Sequence, residues 1–107
     1  MMRYDERRCR YLYRGLKVQI RKLGIFVIEE NDDWIGYAEI LPKKFHRVIM
    51  INGMRHEPWS QQLMVLAHEF CHHARYVGRR WVLRARLSSE RMAIRGEREI
   101  MMQGVEI

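Results

Sequence analysis

The sequence predicts an α+β domain in which an N-terminal helix, a central helix and a C-terminal helix pack on a small, three-stranded, mainly antiparallel sheet. Three observations point there. Helical apolar spacing occurs in three separated segments, β-rich runs cluster between the first two of them, and no repeat or Pro/Ser-rich linker divides the 107 residues. That length is near the commonest size of one domain.

The first helix is read over Asp5 to Leu23, where Leu12, Leu16, Ile20 and Leu23 recur on one side and Gly24 supplies a stop. Gly15 weakens its middle. Two β-rich runs follow, Ile25 to Glu30 and Trp34 to Leu41. They flank Asn31-Asp32-Asp33, residues suited to a turn, so a hairpin is expected, ending at Pro42. A third run, His46 to Gly53, is expected to pair antiparallel with it. Ser60 then caps a second helix running to about Gly78, with Leu63, Leu66, Ala67, Phe70, Ala74 and Val77 on one side. The stretch RRWVLRARLSS has no clear period. A last helix begins after Ser88 or Ser89 and reaches about Gln103, with Gly104 beyond.

Composition narrows the partners. Hydrophobic residues make up 48% and charged residues 31%, a globular balance. Twenty Lys+Arg against 13 Asp+Glu leave a formal charge of +7, which favours acidic partners: an acidic protein substrate, an anionic surface or nucleic acid. Much of that charge lies in Arg79, Arg80, Arg84, Arg86, Arg91, Arg95 and Arg98. The usual meaning of such a series is a solvated face, and no zinc finger or RNP pattern accompanies it. Cys9 and Cys71 are far apart, which speaks against a disulfide framework and for a reducing setting. The start MMRYDERRCR lacks an apolar signal segment and no run is long enough to span a bilayer, so a cytoplasmic location and no membrane partner are expected.

The chemistry sits in LAHEFCHH. Residues four apart share a helix face, so His68 and His72 can grip one ion. Glu69, about 100° around the helix, can instead reach a water bound to that ion as a general base. With five His and ten Glu in the chain, a shuffled sequence would contain H-E-x-x-H roughly 0.02 times. The pattern therefore outweighs the ordinary alternative of histidines facing solvent. A catalytic zinc also needs a third ligand and an open position. No histidine follows His73. Of the downstream carboxylates Glu90, Glu97, Glu99 and Glu106, Glu90 opens the last helix and can turn towards the ion. Glu97, two turns later on a similar face, is the runner-up. Cys71 falls off the ligand face and reads as core, Cys9 reads as a semi-buried thiol that could in principle cap the metal, and His73 is expected exposed or just outside the ligand set.

These residues resemble a family. LAHEFCHH is similar to the active-site helix of compact zinc-dependent gluzincins, particularly ImmA/IrrE-type metallopeptidases and minigluzincins, which read approximately LAHELGH there. ERMAIRGEREIMM places Glu90, Ala93 and Ile100-Met101-Met102 at matching steps, and RVIMIN resembles their strand ending in asparagine. Phe70-Cys71, Ile94 and Gln103 depart from the usual Leu-Gly, Asn and Pro. The resemblance covers about Val48 to Met102. It implies a zinc metalloendopeptidase in which His68, His72 and Glu90 hold Zn2+ and Glu69 is the base. Tyr76, His56 and Asn52 are candidates for transition-state or substrate contacts, and Val48 to Asn52 for a substrate-binding edge. The competing readings are a basic, non-catalytic protein- or nucleic-acid-binding module and a latent zinc protein whose own terminus fills the cleft.

Overall fold

A computed structural model describes residues 2–30, 47–52 and 54–107, without the side chains of Glu30 and Asn52. The elements run α1 (Glu6–Lys22), β1 (Phe26–Glu30), β2 (Val48–Asn52), α2 (Trp59–His73), β3 (Ala74–Val77), β4 (Arg80–Leu83) and α3 (Glu90–Met102). The helix order matches the expectation. The expected turn at 31–33 and strand at 34–41 lie outside the described residues.

Local chemistry sets the helix ends where the sequence places them. Asp5 accepts from the backbone N–H groups of Arg7 and Arg8, which begins α1. Gly24, at φ +80°, turns the chain out of it. Ser89 accepts from Met92 N and begins α3. The start of α2 is different. Pro58 precedes it and offers no side-chain cap, so Ser60 is inside the helix, and its N–H donates to Glu6 Oε1 of α1 at 3.0 Å.

Two features correct the expected sheet. Among the described residues there are two two-stranded sheets, β1 with β2 and β3 with β4. β1 and β2 pair parallel, Phe26 opposite Val48 through Glu30 opposite Asn52, where an antiparallel pairing was expected. Alternation along a strand reports which face is buried and is blind to strand direction. Here it puts Ile49 and Ile51 into the core, with Val27 against it.

The second correction is that α2 ends at His73, five residues before Gly78. Ala74 is already extended, at φ −142° and ψ 161°, and begins an antiparallel hairpin turned by Gly78 and Arg79, at φ 57° and 66°. Two successive positive φ values suit the twist of a two-residue hairpin loop. Tertiary donors hold the helix end open. Arg84 Nε donates to the Cys71 and Ala74 carbonyls, Arg84 N to His73 O, Ser88 N to His72 O, and Arg47 to the His73 and Arg84 carbonyls. The orphan carbonyls that any helix end exposes are thereby satisfied.

One core joins these elements, built from the buried faces of α1 (Cys9, Tyr13, Leu16, Ile20), α2 (Leu63, Leu66, Ala67, Phe70, Cys71) and α3 (Ala93, Ile100, Met101). Trp81 of β4 packs its ring 4.6 Å from that of Phe70. No helix among the described residues is long and apolar enough to cross a membrane.

Candidate metal centre

His68 and His72 lie one turn apart on α2, and α3 crosses in front of them. His72 Nε2 is 3.3 Å from His68 Nε2. Glu90, the first residue of α3, straddles both: Oε1 is 2.8 Å from His72 Nε2 and Oε2 is 3.0 Å from His68 Nε2. The ligand atoms of the three residues all lie within 4.8 Å of one another, a group that could hold a metal ion. The histidine side chains are largely buried, at 20% and 14% exposure, whereas that of Glu90 is 72% exposed and forms the open side.

The far side of each ring decides what the near side can be. His72 Nδ1 is 2.9 Å from the Ser88 carbonyl, which can only accept, so Nδ1 carries the proton. His68 Nδ1 is 3.2 Å from Glu97 Oε1, another acceptor when ionised. With Nδ1 of each ring turned to an acceptor, both Nε2 atoms face each other and the Glu90 carboxylate. With both Nε2 atoms unprotonated three acceptors would converge, and either a proton on an Nε2, donating to Glu90, or a metal ion between them satisfies the group.

The spacing and donor set fit such a cation. Two ligands bound tetrahedrally at about 2.0–2.1 Å stand about 3.3 Å apart, matching the separation of the two Nε2 atoms. Imidazole nitrogens with a carboxylate suit several divalent transition metals. A carboxylate behind a ligand histidine fixes its tautomer and raises its basicity.

Sequence reading puts Glu90 first and Glu97 second as the third ligand. The structure gives them different positions, Glu90 on the Nε2 side with both histidines and Glu97 on the Nδ1 side of His68 alone. Ser88 was missed, because a backbone acceptor leaves no trace in residue type. Glu69 is half-buried on the turn between the two histidines.

The remaining candidates stand apart from the trio. Tyr76 is exposed on β3, its ring 5.2 Å from Trp81, and lines a small cavity on the Cys71 side of α2. His56 is exposed in the turn before α2. Among the described residues neither makes a hydrogen bond or ion pair with the trio. Asn52 ends β2 opposite Glu30. Cys71 is buried, as read. Cys9 is fully buried rather than semi-buried, its thiol directed at Gly104 O 3.8 Å away, and it is no part of the metal group. His73 corrects an expectation: it is buried, 6% exposed, and its Nδ1 has no partner among the described residues. Seven residues after Leu66 and three after Phe70, it shares their inward face. Burial first, then the charges of Arg47 and His72, push its imidazole below the usual histidine range. Arg84, read as part of a solvated face, is half-buried and caps α2.

No family model, no curated protein and no solved structure matches this chain.

Proposed function

We propose that this chain is a zinc-dependent metalloendopeptidase. The observation that carries the reading is the convergence of the two Nε2 atoms and the Glu90 carboxylate within 4.8 Å of one another, with Glu69 next to His68 on the same helix. His68, His72 and Glu90 would hold the ion. Bound there, zinc supplies a Lewis acid for the substrate carbonyl and a water acidic enough to be deprotonated near pH 7.

The protein's own part is positioning and proton transfer. Ser88 and Glu97 hold the two imidazoles in the tautomer that leaves Nε2 free. Glu69 takes the proton from the attacking water on a carboxylate oxygen and returns it to the departing amine nitrogen. Two histidines and a carboxylate also serve iron in other proteins. A glutamate immediately after the first histidine favours hydrolysis, because it places a base next to the ion without occupying it. The exposed arginines Arg79, Arg80, Arg86, Arg91 and Arg95 favour acidic protein substrates through long-range attraction.

The test is metal analysis of the purified protein together with Glu69→Gln. One zinc per chain is expected, retained in Glu69→Gln, whose peptide hydrolysis falls by about 10²–10⁴. Absence of bound zinc in the wild type after reconstitution overturns the reading. Undiminished cleavage by Glu69→Gln removes Glu69 from its role.

A further inference from the structure

Outside the metal centre, the most organised surface is one flank of α1. At 100° per residue, Arg7, Arg10, Arg14, Lys17 and Arg21 fall within an arc of about 80°. They form a stripe about 21 Å long at 1.5 Å per residue. Arg7, Arg10, Arg14 and Arg21 are exposed, and among the described residues their guanidinium groups enter no ion pair. Lys17 is the exception, 3.0 Å from Glu29.

The stripe borders a cavity of about 380 Å³ between α1, the β1–β2 pair and the start of α2. Its walls include the rings of Tyr13 and Trp59, its floor Ile51 and Met54, and its rim Arg14 and Arg55. Arg10 lies over the Trp59 ring, with Cζ 5.6 Å from the centroid. Glu29 is the acid that lines it, and its charge is already engaged by the Tyr13 hydroxyl and by Lys17. Among the described residues, a hollow walled by Trp59 and the edge of the largely buried Tyr13 therefore lies beside a line of cations without ion-pair partners.

We propose that this flank binds single-stranded nucleic acid, with successive phosphates on Arg7, Arg10, Arg14 and Arg21 and one base in the Tyr13/Trp59 cavity. Cationic tracks beside stacking platforms are how proteins hold single strands without base readout. A membrane surface fits less well. The apolar face of α1 is consumed in the core, and the aromatic rings are recessed, so nothing on this flank can insert between lipids. The proposal is independent of the metal-centre reading.

The experiment uses the full chain with a chelator present, so that zinc plays no part. A fluorescein-labelled eight-residue oligothymidylate is titrated by anisotropy from 50 to 200 mM salt. About four phosphate contacts predict a log–log slope near −3 and about 50-fold weaker binding across that range. Arg10→Ala/Arg14→Ala should weaken binding about tenfold or more and reduce the slope by about 1.4. Trp59→Phe, which keeps a ring in place, should bind within a few-fold of wild type while losing most of the tryptophan quenching. An equal loss from Arg91→Ala/Arg95→Ala on α3 would mean diffuse charge attraction and would overturn the site. So would tight binding to phosphatidylserine vesicles with none to the oligonucleotide.

Discussion

If the trio is the proposed zinc site, removing the Glu97 carboxylate separates a ligand from the group that orients a ligand. Among the described residues Glu97 meets only His68 Nδ1, at 3.2 Å and 18% side-chain exposure, whereas both Glu90 oxygens lie within 3.0 Å of the paired Nε2 atoms. In Glu97→Ala the His68 ring loses its acceptor but keeps its lone pair, so zinc should still bind. Loss of such an outer partner lowers metal affinity by about 10–100-fold, which is about 1.4–2.7 kcal/mol. That range agrees with a partly buried hydrogen bond to a charged group, about 1.5–3 kcal/mol. Glu97→Gln keeps an oxygen acceptor without the charge and should fall between wild type and alanine. Glu90→Ala removes a first ligand and should lose more than 100-fold. Competition against a chromophoric zinc chelator at fixed pH measures all four proteins on one scale. If Glu97→Ala loses as much as Glu90→Ala or more, the two carboxylates have been given the wrong sides. If both bind zinc as wild type does, the trio is not the metal site.

Three other outcomes can be checked. Gly78→Ala should lower stability by about 1–2 kcal/mol, the cost of a left-handed non-glycine residue, seen as a fall in Tm; with no atom within 4 Å of the added Cβ, the effect is conformational alone. Burial by itself pushes the Glu29 carboxyl up, but hydrogen bonds from Tyr13 and Lys17, with the charges of Lys17 and Arg55, outweigh it and hold it below its ordinary range. Its stabilising contribution is thus complete above the ordinary carboxyl range and is lost as pH falls through the lowered value. Tyr13→Phe should be less stable than wild type at pH 6, with the gap narrowing below about pH 4 in denaturant titrations; a gap constant with pH would disconnect Tyr13 from Glu29. Burial pushes the Cys71 thiol up to about 12, so Ellman's reagent at pH 8 should react with neither Cys9 nor Cys71 until denaturant is added.

What could be read in the sequence, and what could not, divides along physical lines. The start of α1 was legible from its apolar spacing, that of α3 because Ser89 stands one residue before it, and the His68/His72 grip because it is a property of helix pitch. The end of α2 was not. Nothing between His73 and Gly78 breaks a helix locally, and the donors that satisfy its last carbonyls come from Arg47, Arg84 and Ser88, distant in sequence. The hairpin turn was hidden for a similar reason, since Gly78-Arg79 lacks the Asn-Gly or Asp-Gly signature and puts an arginine at positive φ. Helical phase places Glu90 and Glu97 within about 20° of each other. Periodicity could not rank them, because the distinction rests on which nitrogen of which ring each one reaches.

Helix separation links stability to the metal centre through Gly96. A Cβ at that position would stand 2.5 Å from Cys71 Sγ and 3.0 Å from Cys71 Cβ, so glycine is what lets α3 lie close against α2. Glu97 is the next residue, and its reach to His68 depends on that approach. In Gly96→Ala either the thiol must find room in a core where Cys71 is 1% exposed, or the helices must part by a few tenths of an ångström. Overpacking of this kind costs about 1–3 kcal/mol, and the better helix propensity of alanine returns about 1 kcal/mol. A net loss of up to about 2 kcal/mol corresponds to a Tm lower by up to about 10 °C in a domain of this size, measured by circular dichroism with a chelator present. Parting the helices also lengthens the contact between Glu97 and His68, so zinc affinity should fall, though by less than in Glu97→Ala. Cys71→Ala added to Gly96→Ala removes the 2.5 Å clash but leaves the one at 3.0 Å, and should restore part of both losses. A Tm and a zinc affinity both unchanged in Gly96→Ala would show that the helices are not held at contact distance here. A lowered Tm with unchanged zinc affinity would show instead that Glu97 reaches His68 independently of how closely the helices pack.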